Sequence, residues 1–305
     1  MKPTHLLHGL VAAAHSPFHE DGSLNFAVVE KQAAHFLECN VRTIFICGTT
    51  GECHSLSLEE RRSLAERWLA VARGTALKIV VHVGSNCLAD ARALAAQAQS
   101  LGAVAISALA PSYFKPRSLD ALIACCADIA SAASETPFYF YDIPAFTGVN
   151  FPMVEFLARA PERIPTLTGL KFTNPDLMAY QFCLRADDGR WDVPFGVDEH
   201  LLGALAMGAK GAVGSGFNFA APVYHRLLKA FAAGDLAAAR EEQFRGAELV
   251  RLLAGFGYLP AAKAMMGLRG VPVGPARLPE TSLTATQHEE LRCKLEGMGF
   301  FQWVR

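Results

Sequence analysis

Residues 137–173 read PFYFYDIPAFTGVNFPMVEFLARAPERIPTLTGLKFT. Two near-continuous apolar runs, PFYFYDI from Pro137 and LTGLKFT from Leu167, flank a stretch in which Pro152 suits the first turn of a helix. Apolar runs without alternation belong to strands buried on both faces, as parallel strands are when helices cover them. The unit is therefore strand, helix, strand, and it recurs outward in both directions. Toward the N-terminus lie GLVAAA near Gly9, TIFICG from Thr43, KIVVHV from Lys78 and AVAISAL from Ala103. Toward the C-terminus lie WDVPFG from Trp191 and GAVGSG from Gly211. Eight such units at spacings of about 25 to 35 residues predict an α/β fold, the (β/α)8 TIM barrel. The competing doubly wound sheet wants a glycine-rich turn after the first strand, and HSPFHEDG from His15 offers none.

Local signals place several helices. Ser57 to Glu60 is a capping box, Leu64, Trp68 and Val71 mark one apolar face, and Gly74 supplies a stop. Asp198 can cap a helix running to Gly208. From Asp235 strand patterns cease. DLAAAREEQFRGAELVRLL reads as a long helix, and shorter ones follow around Leu259–Leu268 and Thr284–Leu295, the last with a Thr284/Gln287 capping box. The chain thus divides into a barrel over residues 1–234 and C-terminal helices over 235–305. With no linker between them, the helices should pack on the barrel as an appendage.

Half of the 305 residues are hydrophobic, net charge is −1, and no basic run occurs, which leaves no footprint for nucleic acid or a membrane surface. No stretch reaches the roughly 18 apolar residues of a membrane span. The start, MKPTHLLHGLVAAAHSPF, lacks a distinct signal-peptide core. Eight scattered Cys without a CxxC pair fit reduced thiols and a cytoplasmic protein.

In such a barrel the chemistry belongs at the strand C-termini. Lys171 stands there alone in an apolar strand, where an ammonium has no structural use. At its ordinary pKa only about one lysine in 2,500 is neutral at pH 7, and a shift of roughly three units, about 4 kcal/mol, makes a substantial fraction nucleophilic. A neutral, positioned amine attacks carbonyl carbon, which suggests Schiff-base chemistry without a cofactor. Tyr141 closes another strand and could pass protons to the reacting carbon. Gly48-Thr49-Thr50-Gly51-Glu52 could cradle a small carboxylate through backbone N–H and hydroxyl donors. Asp198 and Glu199 would accept hydrogen bonds from a polyhydroxylated ligand, and Gly196 and Ser215 fall at strand ends beside them.

Each residue taken singly admits a plainer account. Lys171 could run its stem out to water, Tyr141 could be a core phenol, GTTGE a tight turn and Asp198 a helix cap. Metal catalysis is weaker, with no HxH or HExxH among ten His; His82 reads as a bonded core imidazole.

Seven ordered motifs then carry a resemblance over almost the whole chain: GTTGE at Gly48, HVG at His82, YDIPAFTGV from Tyr141, GLKFT from Gly169, FGVDE from Phe195, GAVGSGFN from Gly211 and VPVGPARLP near the C-terminus. The chain resembles the N-acetylneuraminate lyase and dihydrodipicolinate synthase superfamily, and its lyase branch most. The resemblance implies that Lys171 forms a Schiff base with pyruvate or a sialic acid while Tyr141 moves protons. Thr49 and Thr50 would hold the keto-acid carboxylate. Thr173, Gly196, Asp198, Glu199 and Ser215 would line the sugar side, and Tyr113 would sit as an aromatic close to Tyr141. It implies reversible cleavage of N-acetylneuraminate to N-acetylmannosamine and pyruvate, and a homotetramer. The synthase branch carries an Arg after its YxxP segment for a second carboxylate, whereas Ala145-Phe146 stands here. A lyase or dehydratase for another 2-keto-3-deoxy sugar acid, or a silent sugar-acid-binding barrel, are the alternatives. Three positions depart from the family pattern: Asp142 after the Tyr, Gly216 where Thr is usual (a side chain lost from the sugar wall), and Ser16 in HSPF.

Overall fold

The computed structural model describes residues 7–305. Among them seven strands form one parallel sheet: β1 (Gly9–Ala13), β2 (Thr43–Ile46), β3 (Lys78–His82), β4 (Ala105–Leu109), β5 (Phe138–Asp142), β6 (Leu167–Phe172) and β7 (Gly211–Gly214). The first helices between them are α1 (Ala27–Glu38), α2 (Leu58–Ala72), α3 (Leu88–Ser100) and α4 (Leu119–Ser131). They are followed by α5 (Pro144–Thr147), α6 (Met153–Arg159), α7 (Leu177–Arg185), α8 (Leu201–Met207) and α9 (Ala221–Ala232). Beyond the last strand come α10 (Leu236–Ala254), α11 (Tyr258–Leu268), α12 (Ala285–Gly297) and α13 (Phe300–Trp303). Reading the N-terminus for a leader rests partly on residues 1–6, which lie outside the described residues. No described helix is long and apolar enough to cross a membrane.

The strand order is β6-β5-β4-β3-β2-β1-β7, and the expected strand at Trp191 appears only as isolated bridges between the two edges. Its residues still close the barrel. Asp192 N–H donates to Thr168 O and Gly196 N–H to Phe172 O, while Phe195 N–H reaches Gly211 O on the other side. The missing rung falls at position 194, and Pro194 has no N–H to give. The expected eighth strand is thus reduced to bridges on either side of a residue that cannot donate.

Strand alternation builds two cores. Val11, Phe45, Val80, Tyr139, Tyr141 and Val213 point inward and fill the barrel. Their neighbours, among them Leu10, Ile44, Val81, Phe140 and Phe172, point outward into the larger core beneath the helices. Because both faces are buried, the strands need no polar face, which is why they read as continuous apolar runs. On this alternation Lys171 faces inward with Gly169, and Asp142 faces outward with Phe140.

The helix signals carry through. Ser57 and Glu60 form the capping box of α2, and Thr284 and Gln287 form that of α12. Asp235 caps α10 by accepting from Ala238 N–H.

Candidate active site

Residues at the ends of β1, β5, β6 and β7 and in the loops around them, together with residues of α10 and α11 and Glu280 beyond them, surround a cavity of about 390 Å3 at the C-terminal end of the barrel. Of the residues named from sequence, Thr49, Thr50, Tyr141, Lys171, Thr173, Gly196, Asp198, Glu199 and Ser215 all line it.

Lys171 forms its floor and is 3% exposed. Its Nζ lies 3.9 Å from the centroid of the Tyr141 ring and 4.2 Å from that of Phe45. Burial among these rings lowers the amine's pKa to about 7, with Asp198 and then Cys53 pulling the other way. An appreciable fraction is therefore uncharged at neutral pH. The same burial raises the Tyr141 phenol to about 12, opposed by the Thr49 hydroxyl, which stands 3.2 Å from the phenol oxygen. Tyr141 thus remains protonated and able to donate.

The wall beneath is set by His82, which is fully buried. Leu109 N–H donates to His82 Nε2 at 3.3 Å, so Nδ1 carries the proton and donates to Cys47 O at 2.9 Å. Burial keeps this imidazole neutral, with its pKa well below the usual value. It meets Tyr141 edge-on, ring centroids 5.8 Å apart. It is the bonded core residue that its sequence context suggests, and it orients two neighbours.

Asp198 departs from its reading as a helix cap. It lies in a 3-10 turn, Asp198–His200, without a side-chain cap bond, and its carboxylate instead accepts Gly216 N–H at 2.7 Å. Gly214 and Gly216 make this possible: a Cβ at either position would run into the Asp198 carboxylate, and at 216 also into the Tyr224 hydroxyl. Gly216 therefore leaves no gap in the cavity wall, where the sequence comparison with the family pattern led to the expectation of a lost side chain; Asp198 and Tyr224 occupy that space. Burial lifts the Asp198 carboxyl to about 7.

Tyr113 is the residue the structure does not bring in. It is 79% exposed and packs edge-on against Phe114. The loop after β4 is pinned by Asn86, whose side-chain oxygen accepts from both Ser112 and Tyr113 N–H groups, and this turns the phenol outward.

The cavity has members that the sequence pattern does not single out. Val250, Tyr258, Leu259 and Glu280 come from the C-terminal helices and the segment after them, and the Tyr258 hydroxyl bonds Ser215 Oγ at 2.7 Å. Phe146 lines the mouth where a synthase would want an Arg. Lys171 is the sole cation among the described lining residues, against three acids, Asp198, Glu199 and Glu280. A second carboxylate on the ligand would meet repulsion there, whereas sugar hydroxyls would find acceptors.

Asp142, the residue after Tyr141, is 2% exposed, faces outward, and has its pKa raised to about 7 by burial, with Asn174 Nδ2 at 3.5 Å the opposing contact. Its folded pKa exceeds the unfolded one, so its burial is harmless below pH 4, costs progressively more between 4 and 7, and costs most above 7. Asp142→Asn is expected to leave stability nearly unchanged near pH 4 and to raise it by roughly 2–4 kcal/mol at pH 8. Urea unfolding at the two pH values checks this; an equal effect at both would show that Asp142 is not a buried acid.

The profile of the Dihydrodipicolinate synthetase family matches residues 6–297. The N-acetylneuraminate lyase of Gallus gallus is 40% identical over 302 residues, 98% of this chain and 98% of that protein. The solved N-acetylneuraminate lyase (sialic acid aldolase) of Aliivibrio salmonicida superposes with a TM-score of 0.93 at 44% identity, covering 95% of this chain and 96% of its own. That of Proteus mirabilis superposes with a TM-score of 0.93 at 38% identity, covering 95% and 98%.

Proposed function

The chain belongs to the Dihydrodipicolinate synthetase family, and from that premise we propose that it is a class I aldolase cleaving N-acetylneuraminate reversibly to N-acetylmannosamine and pyruvate. The observation that carries the reading is the dry, partly neutral amine of Lys171 at the floor of a cavity with no second cation among its described lining residues. Relatives named as lyases outweigh the alternatives of another keto-deoxy acid or a silent binder.

In this reading Lys171 adds through Nζ to the substrate ketone, and loss of water gives a protonated imine, which serves as the electron sink. Tyr141, itself protonated, relays the proton of the hydroxyl on the carbon whose bond breaks: its phenol oxygen takes that proton as its own passes on to the enamine carbon, so the phenol ends as it began. N-acetylmannosamine leaves as an aldehyde, and the enamine takes a proton at carbon before water releases pyruvate and restores the amine. Thr49 and Thr50 hold the carboxylate. Thr173, Gly196, Asp198, Glu199 and Ser215 face the sugar hydroxyls, and Gly196 leaves room for the Thr173 hydroxyl. No cofactor takes part.

We place the boundary between barrel and appendage at 234/235, where left-handed Gly234 ends one helix and Asp235 caps the next. A cytoplasmic location is supported by eight free thiols, and a homotetramer is expected from the resemblance.

Borohydride with pyruvate is expected to add mass to the Lys171 peptide and abolish pyruvate release; labelling of another lysine, or of none, sinks the assignment. The rate of trapping should fall about tenfold per pH unit below 7 and level off above it, because the protonated amine is inert. A flat profile from pH 5 to 8 would contradict a lowered Lys171 pKa.

A further inference from the structure

The carboxylate-binding loop is held from outside the barrel. Gly48–Gly51 is bracketed by two non-glycine residues in the left-handed region, Cys47 at φ 56° and Glu52 at φ 55°. Side chains rarely adopt that conformation, and it persists only where surroundings enforce it. At Cys47 the enforcing contact is the His82 bond to its carbonyl. At Glu52 it comes from the C-terminal segment.

Lys263 of α11 donates to Glu52 Oε1 at 2.6 Å and to Ser16 O at 3.1 Å, and Arg277 N–H donates to Glu52 Oε2 at 2.8 Å. The Lys263 and Glu52 side chains are each 2% exposed. Ser16 Oγ in turn donates to Gly51 O at 2.7 Å, so Lys263 grips the loop by two routes, one through Glu52 and one through Ser16. The ammonium also lies 4.3 Å from the centroid of the Phe18 ring. The helix that carries Lys263 begins at Tyr258, whose hydroxyl bonds Ser215 on the opposite side of the cavity. One helix thus touches both the keto-acid end and the sugar end of the site.

We propose that Lys263 and Glu52 are positioning residues: their buried ion pair lets the C-terminal helices set the loop of Thr49 and Thr50 at the correct height above Lys171. The proposal rests on the aldolase reading. A buried pair of this kind adds little net stability over an apolar pair, but removing one partner strands the other charge. Its retention is then explained by geometry rather than by stability.

The test uses the full chain and pyruvate as the probe, with borohydride trapping on Lys171 measured against pyruvate concentration and the melting temperature recorded alongside. Lys263→Met is expected to raise the half-saturating pyruvate roughly 10- to 100-fold, since a misplacement near 1 Å costs that much. The trapping rate at saturation should stay within about threefold of wild type, because the amine itself is untouched. Glu52→Gln with Lys263→Met removes both charges; it should recover most of the melting temperature but not the half-saturation. A purely structural pair would give the reverse, with lowered melting in Lys263→Met, unchanged half-saturation in the folded enzyme and full recovery in the double variant. Wild-type half-saturation in either folded variant overturns the proposal. So does failure of both variants to fold, which makes the pair a stability element. A wild type that never traps pyruvate sinks the aldolase reading instead, and this proposal with it.

Discussion

Lys171→Met is expected to reduce pyruvate release to the uncatalysed background while raising the melting temperature at pH 7. The first effect follows because no other described lining residue carries an amine. The second follows from what the fold gives up to hold that amine. Its folded pKa is about 7, against an ordinary 10.5, so burial disfavours the charged form that the unfolded chain retains. This penalty is absent above about pH 10.5, grows as pH falls toward 7, and is full below 7. Met has similar length, packs on aromatic rings, and has no charge to desolvate. The nominal gain is about 4 kcal/mol, with the attraction to Asp198 already contained in the lowered pKa, and this corresponds to a rise of a few °C for a chain of this size. Repeating the melt at pH 10 should shrink the difference toward zero. Residual turnover, or a lower melting temperature at pH 7, would mean that Lys171 is neither the nucleophile nor a desolvated amine. The same comparison separates loss of chemistry from loss of fold, which an inactive variant alone cannot do.

What the sequence exposes here, and what it hides, follows from the range of the forces involved. Strands buried on both faces announce themselves as apolar runs, so the barrel and the placement of Lys171 and Tyr141 at strand ends are readable without coordinates. Period-2 alternation also tells that Asp142 faces away from Tyr141, as it does. The gap at Pro194 is readable in principle, since a residue without N–H cannot supply its rung. Asp198 is different. Its choice between capping a helix and accepting Gly216 N–H depends on two glycines that the next strand brings alongside, a contact between elements rather than within one. Tyr113 is turned out by Asn86, from the loop of a neighbouring unit. Tyr258 and Lys263 lie even further from the loops they touch. Helical periodicity marks which face of α11 is buried, but not that one turn of it sits over Ser215 and another beside Glu52. Half of the site was therefore open to reading, and the part supplied by the appendage was not.

Tyr141→Phe should divide the reaction at the point where carbon–carbon chemistry begins. The aromatic ring remains, so Lys171 keeps the face against which its Nζ packs at 3.9 Å, and its burial is unchanged. Trapping of pyruvate on Lys171 by borohydride is accordingly expected to survive. What is lost is the phenol oxygen, 3.2 Å from Thr49 Oγ1 and the lining hydroxyl that the proposed mechanism uses to take and return the proton of the cleaved bond. Removing one positioned acid–base group slows a reaction by roughly 10² to 10⁴, and that is the expected fall in kcat for N-acetylneuraminate cleavage. The Thr49 hydroxyl loses a partner as well, so a modest rise in KM for the keto acid should accompany it. The phenol, raised to about 12, stays protonated across the working range, so the wild-type profile should show no fall from Tyr141 ionisation up to pH 9. Two results bear directly on the mechanism. Cleavage at the wild-type rate in Tyr141→Phe would remove this residue from proton transfer. Loss of trapping together with cleavage would instead make the phenol a support for the amine, because a group that acts only on the breaking bond has no part in forming the imine with pyruvate.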